Sequence, residues 1–237
     1  MSEEKEKRTV QAVFFDAAGT LFHPFPSVGS LYARVAQRYG TTVDPSILDE
    51  RFQKEFESRG GLRDLEPGTT PGIEKAWWRA LVRGVFDGVR VPTPFDQFFD
   101  ELYDLFATPE AWRFYPEVPG VLKALAEKGL ILAIVSNWDS RLPLLCERMN
   151  LLPPIRFVIA SGMVGAAKPN PAIFQEALKR AAVSPGNVLH VGDSLEEDIQ
   201  GARSAGIRAL WVNRNAPRRS SLIPTIESLN QIVDHLT

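Results

Sequence analysis

Short apolar runs that stop abruptly at polar loop residues recur along the chain. Val10 to Phe15 is followed at once by Asp16 and then Gly19-Thr20. The same pattern returns at Leu130 to Val135 before Ser136-Asn137, and at Phe157 to Ala160 before Ser161-Gly162. It returns again at Val188 to Val191 before Gly192-Asp193, and a last run, Ile207 to Val212, precedes Asn213. Runs this short and this apolar predict buried strands that end in tight loops. Helical periodicity fills the intervals at Pro119 to Lys128, Ser140 to Met149, Pro171 to Ala182 and Leu195 to Ala205. Pro119, Pro143 and Pro171 stand near the starts of the first three segments, and Gly129 and Gly206 fall just past the ends of the first and last, as helix boundaries favour. Strand and helix alternate from about Pro116 onward, which predicts an α/β fold: a doubly wound, Rossmann-like parallel sheet with helices on both faces.

Residues 25–114 break that alternation. They carry helical stretches at Gly29 to Tyr39, Pro45 to Ser58, Gly72 to Val85 and Pro94 to Phe106, punctuated by Pro67-Gly68, Pro71-Gly72 and Pro92 to Pro94. The first strand has to rejoin the later ones, so this block reads as an inserted α-helical cap. The expected division is a core of residues 1–24 and 115–237 and a cap of residues 25–114, with hinges near Pro24 to Pro26 and Tyr115 to Pro119. A chain of 237 residues accommodates a core domain with one sizeable insertion.

Composition narrows the partners. The formal net charge is −2, with both signs interspersed, which gives no basic footprint for nucleic acid or an anionic membrane. Cys146 is the only cysteine, which excludes an internal disulfide or a thiolate cluster and reads as a small buried hydrophobe. The charged segment Met1 to Thr9 has no apolar stretch behind it of signal-peptide length. Leu130 to Val135 is too short to cross a bilayer. The expectation is a cytoplasmic protein without a membrane or nucleic-acid partner; on oligomeric state the sequence is silent.

In an open parallel sheet, ligands bind at the carboxyl ends of the strands, where strand order reverses. Asp16, Ser136-Asn137 and Gly192-Asp193 all fall at such ends, and Lys168 lies in a loop before the helix that begins near Pro171. An aspartate after a strand, seen alone, is usually a turn residue or a helix cap. Four loops that offer a nucleophilic carboxylate, a hydroxyl, a cation and further carboxylates meet a more particular need. A carboxylate can attack phosphorus and split one hard step into two. Cations and hydrogen-bond donors then hold the charged oxygens in flight. Magnesium takes an oxygen shell of a few carboxylates, waters and substrate phosphate. Asp16 and Asp193 can supply carboxylates, and a backbone carbonyl in the loop after Asp16 another oxygen. Lys168 would neutralise Asp16 and the phosphate together, while Ser136 would donate to a phosphate oxygen.

The segments Asp16-Ala-Ala-Gly-Thr-Leu21, Ser136-Asn137, Lys168-Pro169 and Gly192-Asp-Ser-Leu-Glu-Glu-Asp198, with Gly201-Ala202 and Ala205-Gly206, resemble the four ordered motifs of the haloacid dehalogenase superfamily, subfamily IA. The inserted block resembles its helical cap. Within it, Trp77-Trp78, Leu102-Tyr-Asp-Leu-Phe106, Trp112 and Ile134-Val-Ser-Asn-Trp-Asp139 are similar to the group of rhythmically-expressed-gene-two proteins and haloacid dehalogenase-like domain-containing protein three. The resemblance implies catalytic roles for Asp16, Ser136 and Lys168, and phosphate or substrate contacts at Gly19, Thr20 and Asn137. It implies a Mg2+ site from Asp16, the Ala18 backbone carbonyl, Asp193 and Asp198, the last as a ligand or as a group orienting water. Glu197 is the alternative inward carboxylate.

The implied activity is a phosphatase on a small phosphorylated metabolite, through an aspartyl-phosphate on Asp16. There is one departure: phosphatases of the superfamily usually carry a second aspartate two residues after the nucleophile, and here that position is Ala18. General acid–base help is worth roughly two to four orders of magnitude. Ala18 therefore keeps open a metal- and phosphate-binding protein without turnover, and a phosphonate hydrolase working through a cap lysine such as Lys54 or Lys75. Dehalogenases also lack the second aspartate, but Gly192-Asp193-Ser194 departs from their pattern.

Other polar and aromatic residues have plainer expectations. His190, inside a predicted strand, reads as a satisfied core histidine, and His23 as a hinge or substrate neighbour. Of Trp77 and Trp78, one is expected in the cap core and the other at the cleft. Arg51, Lys54, Arg59, Arg63, Lys75 and Arg79 read as a solvated face.

Overall fold

The structure is a computed structural model that describes residues 10–64, 69–214 and 223–236. The apolar runs form strands β1 (Ala12–Phe15), β4 (Ile131–Ser136), β5 (Phe157–Ala160), β6 (Val188–Gly192) and β7 (Arg208–Val212). A two-residue strand β8 (Thr225–Ile226), which the sequence did not predict, closes one edge. The order is β5-β4-β1-β6-β7-β8, parallel throughout. The chain leaves β1 for β4 on one side and later returns to β6 on the other. β1 is therefore the switch point, and a crevice opens at its carboxyl end.

Side chains alternate across the sheet with the two-residue period of a strand. Val13, Phe15, Leu132, Ile134, Leu189 and Val191 pack with α5 (Val118–Glu127) and α6 (Leu142–Arg148). Ala12, Phe14, Ala133 and Val135 face the other way, onto α8 (Pro171–Ala181) and α9 (Gly201–Ser204). Both faces are covered, which is why the strands read as unbroken apolar runs.

Helices α1 (Val28–Arg38), α2 (Pro45–Ser58), α3 (Pro71–Val85) and α4 (Phe95–Leu105) follow β1. Ser27, Asp44 and Thr70 accept backbone N–H bonds at the starts of α1, α2 and α3, with Pro45 and Pro71 in the first turns. These caps fix the helix starts within a residue of where the sequence put them. The four helices bury their own cluster, with Tyr32, Val35, Leu81, Val85, Phe86, Phe98 and Leu102 at its centre.

Two further features differ from expectation. The connections between helical block and sheet are an antiparallel ribbon, β2 (Phe22–Pro24) against β3 (Trp112–Phe114), with Phe22 opposite Phe114 and Pro24 opposite Trp112. Strands of three residues have too little pattern to show periodicity, and only the pairing makes them strands. The second difference lies at 195–205, predicted as one helix. It begins as a π-helical turn, Leu195–Gln200, and becomes α-helical only at Gly201. Such wide turns concentrate at functional sites, and this one carries Asp198. A short helix α7 (Ser161–Val164) follows β5 directly.

Candidate active site

β1, β4 and β6 end side by side and present Asp16, Ser136 and Asp193 to the crevice. Lys168, only 1 % exposed, reaches the same point from the loop before α8. Its Nζ donates to Asp16 Oδ1 at 2.6 Å and to Asp198 Oδ1 at 2.5 Å. Asn137 pins the lysine backbone from both sides: Lys168 N–H donates to Asn137 Oδ1 at 2.6 Å, and Asn137 Nδ2 donates to the Lys168 carbonyl at 2.9 Å.

Asp198 is shared out among protein groups. Oδ1 takes the lysine and lies 2.9 Å from His190 Nε2, while Oδ2 accepts the Ser194 N–H at 3.0 Å. The Ser194 hydroxyl in turn accepts the Glu197 N–H. Asp193 is held by its backbone, whose carbonyl accepts from Trp211 Nε1 at 2.9 Å, and by Thr20, whose hydroxyl donates to Oδ1 at 3.3 Å. Gly19 has φ +85, and a Cβ there would collide with the Asp193 carboxylate. Only glycine allows the nucleophile loop to lie this close. Gly192 is constrained likewise, by the Asp198 carboxylate.

Charge in this site does not balance. Oxygens of Asp16, Asp193 and Asp198 can come within 4.8 Å of one another, against one ammonium. Burial raises the Asp16 carboxyl above its ordinary value, Lys168 opposes, Asp198 raises it further, and a Ser136 hydrogen bond lowers it. The Asp193 carboxyl is pushed up to about 7, by burial and by the like charges of Asp16 and Asp198. Asp193 is the solvent-open member of the three, so like-charge repulsion is the firmer part of that cause. Burial also works against ionised Asp198, but Lys168 and His190 overcome it and hold that carboxyl well below the usual range. Lys168 is raised despite its burial, by Asp16 and Asp198. Hard oxygen donors with uncompensated negative charge are the donor set a divalent cation of the magnesium type requires.

The residues expected from sequence separate into two groups. Asp16, Ala18, Ser136, Asn137, Asp193 and Asp198 line one cleft of about 350 Å³. Thr20 is fully buried and Gly19 is a spacer, so both act on Asp193 from behind rather than from the cleft surface. His190 is buried as expected but not fully satisfied, because its Nδ1 has no hydrogen-bond partner among the described residues. His23 lies in the ribbon β2, its Nδ1 3.0 Å from the Pro24 carbonyl oxygen. Burial pushes the Cys146 thiol up to about 12, in keeping with an inert core residue.

Sequence reasoning missed the residues that join the helical block to the sheet. Trp78 lines the cleft and Trp77 packs edge-on against it and Phe56, as expected of the pair, but the bond that Trp78 Nε1 donates to Asp139 at 2.7 Å was not foreseen. Glu74, with no exposed surface, accepts the Ser140 N–H at 3.1 Å and the Ser140 hydroxyl at 2.5 Å. Arg141 forms two bonds to its neighbour Asp139 and donates to the Tyr103 carbonyl at 2.7 Å. Arg63, expected on a solvated face, bonds both Glu196 and Glu197 across the mouth of the cleft. The signal for the first of these pairs was present: Trp77-Trp78 and Trp138-Asp139 are conspicuous in the sequence, but nothing local says that they meet.

A parallel sheet with a switch point at β1, an aspartate–lysine pair there, and a helical block inserted after β1 define a haloacid dehalogenase-type hydrolase core. The family model described as haloacid dehalogenase-like hydrolase matches residues 10–206, and the chain belongs to that family. It is 34% identical to haloacid dehalogenase-like hydrolase domain-containing protein 3 of Danio rerio over 230 residues, covering 96% of this chain and 95% of the relative. It is 26% identical to the rhythmically expressed gene 2 protein of Drosophila melanogaster, covering 86% and 83% of the two chains. Among solved structures, it is similar to a HAD phosphatase from Thermococcus onnurineus, with TM-score 0.69, 26% identity and coverage of 96% and 98%.

Proposed function

We propose that this hydrolase is a magnesium-dependent phosphatase that acts on a small phosphorylated metabolite through an aspartyl-phosphate on Asp16. The observation that carries the reading is the buried lysine bridge. Lys168 ties up Asp16 Oδ1 at 2.6 Å, which leaves Oδ2 as the attacking oxygen at the floor of the cleft. The same ammonium offsets charge on the transferring phosphoryl group, and Ser136 donates to one of its oxygens. Asp16, the Ala18 carbonyl and Asp193 would hold Mg2+, which supplies charge neutralisation for the phosphoryl oxygens. The engaged oxygens of Asp198 suit it to orient Lys168 and the Asp193 loop. The ribbon β2–β3 serves as the hinge on which the cap closes and excludes bulk water.

Ala18 favours a second reading, in which metal and phosphate bind but turnover is very slow. The phosphonate reading lacks support: neither Lys54 nor Lys75 lines the cleft, and Lys75 pairs with Asp100 at 2.7 Å. No helix among the described residues is long and apolar enough to cross a membrane. Phosphate release from p-nitrophenyl phosphate, with Mg2+ or with chelator, tests the reading. Release that depends on Mg2+ and vanishes in Asp16→Asn supports it. Absence of release despite measurable Mg2+ binding supports the second reading.

A further inference from the structure

The cleft over Asp16 has an unusual wall for an enzyme of polar esters. Tyr32, Phe52, Phe56, Val82, Phe99 and Leu102, all from the four cap helices, line it opposite the nucleophile. Among the described lining residues Arg141 is the one cation, and its charge is matched by two hydrogen bonds to fully buried Asp139. Asn137 spends both ends of its amide on Lys168, and Trp78 spends its N–H on Asp139. Among the described lining residues a second anionic group on a substrate finds no free cation, and the partners open to sugar hydroxyls, chiefly Tyr32, Tyr103, Ser194 and Glu197, are set among aromatic and aliphatic side chains. The second anion would be desolvated without compensation. Ala18 adds an independent constraint, because it places a methyl group where an acid would protonate the departing oxygen.

We infer that the substrate is an aryl phosphate: one phosphoryl group on a flat, uncharged aromatic leaving group. This rests on the phosphatase reading and narrows it. Asp16 Oδ2 forms a bond to phosphorus while the phosphorus–aryl oxygen bond breaks, and the electron pair leaves on the aryl oxygen. The ring delocalises that charge, so the phenolate departs without a proton from position 18. Water oxygen then bonds to phosphorus, the phosphorus–oxygen bond to Asp16 breaks, and the carboxylate is restored; both water protons leave on the released dihydrogen phosphate, which passes one to the phenolate through solvent. Size agrees as well. A cavity of about 150 Å³ holds benzene, so the 350 Å³ here accepts a phosphoryl group with one or two rings.

Aryl esters are intrinsically reactive, so the test separates recognition from chemistry. Binding of methylphosphonate, benzylphosphonate and 2-naphthylmethylphosphonate to the full chain with Mg2+ is measured by calorimetry, because none of the three is cleaved. The expected result is a gain of about tenfold or more from methyl to naphthylmethyl, from apolar area removed from water. Phe56→Ala is expected to reduce that ratio, with thermal unfolding as the check that the variant is folded. Equal affinities for the three phosphonates overturn the inference, as does a lower KM for a hexose phosphate or a carboxylated alkyl phosphate than for phenyl phosphate. The phosphatase reading fails separately, if phenyl phosphate is cleaved as fast by Asp16→Asn as by the wild type. Ring-dependent binding without any phosphate release removes the catalytic reading and leaves the ligand class standing.

Discussion

Lys168→Met is the perturbation that bears most directly on the site. Its Nζ sits 2.6 Å from one carboxylate oxygen and 2.5 Å from another, with lysine and Asp198 each 1 % exposed. At an effective dielectric near 20, each contact is worth about 6 kcal/mol of gross attraction. Desolvation of the ions cancels most of that, but removal of one partner leaves the others buried and unpaired, at about 3–5 kcal/mol. In a chain of this size each kcal/mol moves the midpoint by about 2–4 °C, so a loss of about 6–20 °C is expected.

The pH dependence follows from the same groups. In the wild type, Asp198 is held below its ordinary 3.8, so its contribution is present above that value and is lost only as pH falls through the lower folded value. Lys168 is raised above 10.5 and stays charged throughout the acid range. Without the lysine, burial dominates and Asp16 is raised further. A carboxyl with a raised folded value stabilises the fold below its unfolded pKa and loses that effect as pH rises through the folded one. The gap between wild type and variant should therefore be widest near neutral pH and narrow toward about pH 4. Scanning calorimetry in chelator across this range is the assay. A loss under about 3 °C at neutral pH, or a gap that widens in acid, would refute the reasoning.

Three further expectations follow. With the Asp193 carboxyl near 7 in the metal-free site, Mg2+ affinity should weaken as pH falls through about 7, and binding near that pH should release a proton. Calorimetry in buffers of different ionisation enthalpy reads this, and Asp193→Asn should abolish the pH dependence along with most of the affinity. Trp78→Phe removes one of the hydrogen bonds to buried Asp139 and leaves those from Arg141, a loss of about 1.5–3 kcal/mol for a bond to a charged group. Cap closure should suffer more than the core, seen as a higher KM and faster proteolysis near the ribbon. Ala18→Asp should speed hydrolysis of alkyl phosphates by about two orders of magnitude or more and that of aryl phosphates far less. Equal acceleration of both classes would contradict the leaving-group logic.

The sequence by itself determined β1, β4, β5, β6 and β7, the helical block that follows the first of them, and the polar ends of those strands. Buried parallel strands must be continuous apolar runs, and the residue that ends each run is placed at the crevice by topology alone. Asp16, Ser136 and Asp193 were legible for that reason, and Lys168 because its loop precedes a helix that packs on the same sheet. Helix α2 was legible from Pro45 at its start, and α3 from the Pro71-Gly72 break; that Asp44 and Thr70 cap them came from the structure. Only the tertiary structure decided what depends on meeting across distance. The ribbon β2–β3 pairs Phe22 with Phe114, and no three-residue segment carries that information. Thr20 and Gly19 turned out to serve Asp193, 173 residues beyond the threonine, because a close approach of two loops has no period. The docking of Glu74 and Trp78 on Asp139 and Ser140, and the apolar wall above the nucleophile, arise where helices fold back over the sheet. That arrangement is set by the packing of whole surfaces, and local pattern does not encode it.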